Sequence, residues 1–374
     1  MVQTEQKIFN VGVVGYGLSA KIFHIPFITI TPSFKLHSIL QRNPTPDSSA
    51  PDDYPNLQHF RSIESFLADA ALDVVVLTTT PDTHFALSQQ SLNAGKHVFV
   101  EKPFVPSSAE ASELHHLAEE RGLLICVYQN RRWDSDFQTV RKLLSDGTLG
   151  RVYEFETHFD RYRAAKPTSW KGELGMSQGG SALYDLGTHL VDQVYVLFGM
   201  PRSVSAKLVS QREGRVLSPQ DQAVEPDSVN LQLFYDSGLI VHVRIGVMSA
   251  ETRQARFWIR GTQGSYHKDG LDAQEDQLKA GMKTSDARFG RDPDEFHGRL
   301  VTVGENEAMS EKVLPNVEPV TYKKIYELFG EALRGKGPVP VPASEARDVL
   351  RILEAAKESS LTRREVELSQ GNTG

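Results

Sequence analysis

The 374-residue chain reads as two domains of different architecture: a doubly wound α/β parallel sheet, then an α+β region built on an antiparallel sheet. Three observations carry this. The length exceeds what one ordinary core holds. As far as Tyr128, short apolar runs alternate with helical segments in the order βαβαβαβαβ, which right-handed crossovers turn into a parallel sheet. Beyond it, apolar and polar residues alternate with period two around tight turns, the mark of an antiparallel sheet with two unlike faces. The domains are therefore expected at 1–128 and 129–374.

Composition narrows the function classes. A net charge of −7 argues against a nucleic-acid partner. Cys126 is the one cysteine, so no intrachain disulfide forms and a reducing compartment fits. No apolar run approaches the roughly 20 residues that span a bilayer. Met1 to Lys7 are polar and carry no signal segment. A cytoplasmic protein without a membrane partner is the expectation.

The first strand, Ile8 to Val14, opens into Gly15-Tyr16-Gly17-Leu18-Ser19-Ala20 and a helix. This is the G-x-G-x-x-A form of a dinucleotide loop. Gly15 permits the tight turn, Gly17 lets backbone approach a pyrophosphate, and small Ala20 lets the helix pack close. The second strand, Lys35 to Leu40, runs into Gln41-Arg42-Asn43. An acidic residue there would bind the 2′-hydroxyl of NAD; its absence, with Arg42 able to pair with a 2′-phosphate, favours NADP over NAD. Asn43 to Pro55, rich in Pro, Ser and Asp, reads as a loop long enough to be mobile. Ser62 to Ala70 reads as a short helix and Asp73 to Thr78 as a buried strand. Thr79, Thr80 and Pro81 follow it, where threonines either contact the cofactor or cap the next helix. His84 is structural or at the cofactor's edge. After a helix to Gly95, strand Val98 to Val100 ends in Glu101-Lys102-Pro103. Pro103 stops the ladder, and ligands sit outside the carboxyl ends of such strands. Glu101 and Lys102 are thus expected at a site mouth. Helix Ser108 to Arg121 and strand Leu123 to Tyr128 complete the domain.

The second half begins with Asn130-Arg131-Arg132-Trp133 and a helix from Ser135 to Asp146. Phe155, Thr157 and Phe159 alternate with Glu154, Glu156 and His158, and similar strands flank turns at Asp236-Ser237-Gly238 and Gly261-Thr262-Gln263-Gly264. Ser210 to Asp227 and Lys268 to Arg299 read as long polar loops, the second with a short helix near Asp276 to Ala280. Ser344 to Ser360 is an amphipathic helix. Between these lies Gly179 to Asp192, read as one helix. Asp185, His189 and Asp192 form a polar stripe at i, i+4 and i+7, beside a buried stripe of leucines. A carboxylate one turn from a histidine can orient it and raise its pKa. A surface ion pair is the competing reading; a metal site is not expected, because no further His/Cys cluster completes one.

Taken together, Gly15 to Ala20, Glu101-Lys102-Pro103, and Asp185-x-x-x-His189 behind Gly179-Gly180 resemble the Gfo/Idh/MocA oxidoreductase family along essentially the whole chain. Tyr128 to Trp133 and Gly270 to Asp276 look like its NADP-dependent scyllo-inositol dehydrogenases. The resemblance implies a Rossmann domain, then a domain on a large, mostly antiparallel sheet often used to form dimers or tetramers, with the last helix returning to the cofactor domain. It implies that Lys102 lies near nicotinamide and substrate hydroxyl, that Asp185 and His189 are the acid-base pair, and that Asn130, Arg132 and Trp133 line the nicotinamide end. Ala20 in place of a third glycine and Gln41 before Arg42 depart from the commonest pattern.

The expected chemistry is hydride transfer between nicotinamide and a carbinol or carbonyl carbon of a cyclic polyol or sugar. His189, with an ordinary pKa near ~6.5, suits the base. Lys102 would stabilise charge on the reacting oxygen, and Asp185 would bind a neighbouring hydroxyl or orient His189. Tyr162, Arg163 and Trp170 are further candidate substrate contacts. A dinucleotide-responsive regulator on the same fold is one rival. A dehydrogenase of aldoses, dihydrodiols or imines is the other.

Overall fold

A computed structural model describes residues 7–368. The chain divides into two compact units, each interrupted in sequence. The first comprises the residues up to Trp133 with Asp276–Ala287 and Val320–Arg347; the second comprises Asp134–Glu275, Arg288–Pro319 and the chain from Asp348 onward.

The first unit holds six parallel strands: β1 (Phe9–Val14), β2 (Phe34–Leu40), β3 (Gln58–Phe60), β4 (Val74–Leu77), β5 (His97–Val100) and β6 (Ile125–Val127). Their spatial order is 3-2-1-4-5-6. The order reverses between β1 and β4, and a doubly wound sheet opens its ligand crevice at such a point. β4 is wholly apolar and buried, and so is β5 from Val98 to Val100, as parallel strands covered on both faces require. Helix Ser108–Glu120 starts at a capping box formed by Ser107 and Glu110.

Three features depart from expectation. β3 is an extra edge strand, too short for a periodic signal. The run Asn43 to Pro55 is not simply loop: Thr45 and Ser48 form a bridge, and Ala50–Asp53 is a helical turn entered at Pro51. Helix Lys323–Leu333 packs Tyr326 and Phe329 against the sheet, with the Tyr326 ring stacked 4.7 Å from that of Phe99.

The second unit is one sheet: β7 (Val152–Asp160), β8 (Ser203–Ser210), β9 (Arg215–Val216), β10 (Ser228–Phe234), β11 (Ile240–Gly246), β12 (Ala255–Gly261), β13 (Gly264–Asp269), β14 (Gly298–Val303), β15 (Met309–Leu314) and β16 (Val366–Glu367). The order is 15-14-13-12-7-11-10-8-16, with β9 on β8. Every pairing is antiparallel except β7 with β11. Phe155, Val229, Leu231, Val243 and Ile259 are buried on the inner face, while Glu154, Gln232, Arg244 and Trp258 lie outward. The polar stretch from Ser210 carries β9, and the one from Lys268 carries helix Gln274–Lys279. Helix Ala343–Thr362 belongs to the first unit as far as Arg347 and to the second from Asp348. In the second unit its Ser359 and Ser360 hydroxyls accept the β8 amides of Ala206 and Leu208.

Candidate active site

The loop after β1 is shaped by Thr78. Its hydroxyl donates to the carbonyl of Val14 at 2.9 Å, and a Cβ on Gly15 would lie 2.8 Å from that oxygen. Gly15 has φ +97°, so glycine is required on both counts. Gly17 differs: a Cβ there would meet nothing within 4 Å. Its backbone faces open space, as a pyrophosphate cradle demands. Tyr16 is fastened from behind, its hydroxyl donating to Asp53 at 2.6 Å with Lys21 over its ring. Leu18 is exposed and Ala20 is buried against the sheet.

Ser19 donates from this loop to Glu101 at the end of β5. The other Glu101 oxygen accepts the backbone N–H of Lys102 at 3.0 Å. Burial alone would raise the carboxyl's pKa, but the hydrogen bond from His24, then its charge and Ser19, outweigh it and lower the pKa to about 2. The carboxylate is thus charged at neutral pH, and Lys102 lies beside it within the same unit as the dinucleotide loop.

The other expected cofactor residues divide. Arg42 is exposed and makes no ion pair among the described residues. No carboxylate stands in Gln41-Arg42-Asn43. Thr79 accepts from the Thr83 hydroxyl and Thr80 gives its carbonyl to the same group, so both shape the turn into helix Pro81–Asn93. His84 is fully buried: Nδ1 faces the carbonyls of Pro103 and Phe104, and Nε2 that of Thr79. Burial lowers its pKa, and its contacts link the segment after Lys102 to Thr79. Asn130, Arg132 and Trp133 form a buried single turn; the Arg132 guanidinium reaches Glu345 at 2.6 Å and the Pro340 carbonyl.

In the second unit, the helix expected over Gly179 to Asp192 is two helices, Ser181–Asp185 and Gly187–Phe198, joined at Leu186. Gly187 opens the second; its neighbours are Leu353, Ile245 and Leu183. Gly187 thus serves close apolar packing. Gly180 is also demanded by packing, since a Cβ would fall 2.0 Å from the Leu174 carbonyl. Asp185, His189 and Asp192 are all buried, which removes the surface-pair reading.

Asp185 lies on a cavity of about 100 Å³ within this unit. Lys171, on the helical turn Trp170–Glu173, places Nζ 2.9 Å from both Asp185 oxygens. Arg163 lines the same cavity. Trp170 stacks under the Lys171 ammonium at 5.3 Å, while Tyr162 points outward and is exposed. Lys171 was not legible in the sequence, nor was Arg212, whose pair with Asp227 closes another wall. Among the described residues no group of three or more His, Cys, Asp or Glu is placed to hold a metal ion, and no helix is long and apolar enough to cross a membrane.

Residues 9–129 match the family model described as "Oxidoreductase family, NAD-binding Rossmann fold", and residues 141–368 match "Oxidoreductase family, C-terminal alpha/beta domain". The chain belongs to the Gfo/Idh/MocA family of oxidoreductases. It is therefore an NAD(P)-dependent dehydrogenase or reductase. It is 39% identical to an uncharacterized oxidoreductase, C115.03, of Schizosaccharomyces pombe, over 95% of this chain and 98% of that one. It is 35% identical to scyllo-inositol 2-dehydrogenase (NADP(+)) IolW of Bacillus subtilis, over 96% of each. Among solved structures, yvaA of Bacillus subtilis superposes with a TM-score of 0.89 at 34% identity, covering 98% of this chain and 99% of that one.

Proposed function

We propose that the protein is an NADP(H)-dependent oxidoreductase acting on a carbinol or carbonyl carbon of a cyclic polyol or sugar of inositol type. The observation that carries it is the Ser19–Glu101 link, which joins the dinucleotide loop to the strand tip that bears Lys102. The residues fit a dinucleotide: a glycine facing open space, a helical segment starting behind it, and Arg42 with no competing carboxylate.

Bound nicotinamide supplies or accepts the hydride. The protein's own groups manage the proton and the charge. His189 takes the hydroxyl proton in the oxidative direction and returns it in the reductive one. Lys102 hydrogen-bonds the same oxygen and offsets its developing charge. Asp185 binds an adjacent hydroxyl, with Lys171 holding the carboxylate in place. Arg163 and Trp170 shape the substrate side. Support for the polyol class comes from IolW, which matches over nearly the full length.

The open face of the second unit's sheet carries Ile240 and Trp258 exposed among ion pairs such as Arg260–Glu154. Such a face suits self-association, and a homo-oligomer formed there belongs to the proposal. The decisive assay is NADPH oxidation against inososes and aldoses, with NADH in parallel. Tight NADP binding with no turnover across the panel would favour the regulator instead.

A further inference from the structure

His24 has no part in the chemistry above, yet it is wholly buried under the end of β5. Its Nε2 lies 2.9 Å from Glu101 Oε1 and its Nδ1 2.6 Å from the Tyr326 hydroxyl. The Tyr128 ring packs on it at 4.4 Å, and the Phe99 ring meets it edge-on at 6.0 Å. Both ring nitrogens are thus engaged, Nε2–H donating to the carboxylate and Nδ1 hydrogen-bonded to the Tyr326 hydroxyl. A buried carboxylate costs several kcal/mol unless its oxygens are bound. Glu101 meets that demand with donors from three places: His24, Ser19 and the Lys102 backbone.

The turn that carries His24 is unusual. Ala20–His24 closes with Ile25 N–H on the Ala20 carbonyl, one residue wider than an α-turn. The extra residue turns the following side chains by about 100° relative to a regular helix. The wide turn sits directly behind the dinucleotide loop, and His24 is the residue it delivers to Glu101.

We propose that His24, oriented by Tyr326, is a positioning residue: it clamps the Glu101 carboxylate, and through it holds the Lys102 backbone and the Ser19 loop in one fixed geometry. This rests on the role proposed for Lys102. A misplacement of about 1 Å in such a group costs on the order of 100-fold in rate. Packing alone predicts a different outcome, because a phenyl ring would fill the same space.

The test compares His24→Phe, His24→Gln, Tyr326→Phe and Lys102→Ala, with NADPH and scyllo-inosose as probes. His24→Phe is expected to lower kcat about 100-fold while the KM for scyllo-inosose changes less than about threefold. His24→Gln, which restores an N–H donor, should recover at least about tenfold of that loss. Tyr326→Phe should lower kcat about three- to tenfold, and it decides the matter if His24→Phe does not fold.

A second readout needs no substrate. The Glu101 pKa lies below the ordinary 4.5, near 2, so its stabilisation is present above 4.5 and lost as pH falls toward 2. In His24→Phe that loss should begin at higher pH in the cofactor-free protein, and the acid limb of kcat/KM should move the same way. A folded His24→Phe with wild-type kcat and an unshifted acid limb would overturn the positioning role, provided Lys102→Ala abolishes turnover. Unchanged turnover in Lys102→Ala would overturn the catalytic reading itself, and the positioning role with it.

Discussion

Lys171 Nζ stands 2.9 Å from each carboxylate oxygen of Asp185, across the cavity of the second unit. The pair is made by the turn Gly175 to Gly180, where Gly180 N–H returns to the Gly175 carbonyl and brings the Trp170–Glu173 turn beside Asp185. With its side chain 40% exposed, Lys171 also presents N–H donors to the cavity. Lys171→Met should raise the KM for a polyol ketone about tenfold, the loss of one charge-assisted contact, with NADPH affinity unchanged. Steady-state kinetics with a parallel NADPH fluorescence titration checks this; an unaltered KM would exclude Lys171 from the substrate side.

The two loop glycines should separate fold from ligand. Gly15→Ala meets both a positive φ and the Thr78 hydroxyl, so it should cost about 1–3 kcal/mol in stability. Gly17→Ala meets nothing in the protein. It should leave Tm within about 1 °C while weakening NADPH binding at least tenfold, because the added methyl occupies the space a pyrophosphate needs. Thermal melts and NADPH titrations of both variants provide the comparison.

Arg42 carries the expected NADP preference. Arg42→Ala should weaken NADPH binding by about 10- to 100-fold, in line with about 1.5–3 kcal/mol for hydrogen bonds to a charged group, and change NADH binding less than twofold. Equal losses for both dinucleotides would mean that Arg42 does not read the 2′-phosphate.

Asp272 gives the second unit a pH signature. It shares a buried cluster with Asp136 and Asp292, which are paired to Arg256 and Lys268 at 2.9 and 2.8 Å. Asp272 itself is held by Ser135 and Gln274, which are neutral. Burial first, then repulsion from Asp136 and Asp292, raise its pKa to about 6. A raised folded-state pKa means that its favourable contribution is present below about 4 and lost as pH rises through 6. Urea unfolding from pH 4 to 7 should show that slope in the wild type, and a flatter profile in Asp272→Asn whatever its absolute stability.

The fold was largely legible because its signals are local. The apolar runs at Val74 to Leu77 and Val98 to Val100, the glycines of the β1 loop and the turn at Asp236 to Gly238 each announce themselves within a few residues. β15 does not: Met309 to Lys312 are all exposed on an edge strand, so no alternation marks it. The break at Leu186 is invisible because the leucine spacing continues through it. The candidate site was read from its motif residues, Lys102, Asp185 and His189, each of which stands in a short local pattern. The long-range supporting pairs were not, since His24 meets Glu101 across 77 positions of sequence and Arg256 meets Asp136 across 120. Such pairs are set by which strand ends and helices the fold makes neighbours, and spacing carries no trace of them.

The central claim is that Lys102 and His189 serve one hydride transfer with NADP(H). Single-turnover oxidation of bound NADPH by scyllo-inosose, followed at the nicotinamide absorbance, tests it in wild type, Lys102→Ala and His189→Asn. The account predicts that each variant binds NADPH within about threefold of wild type and slows the transfer by at least 100-fold, the range of a lost general base or a lost oxyanion donor. Transfer at the wild-type rate in either variant would contradict it.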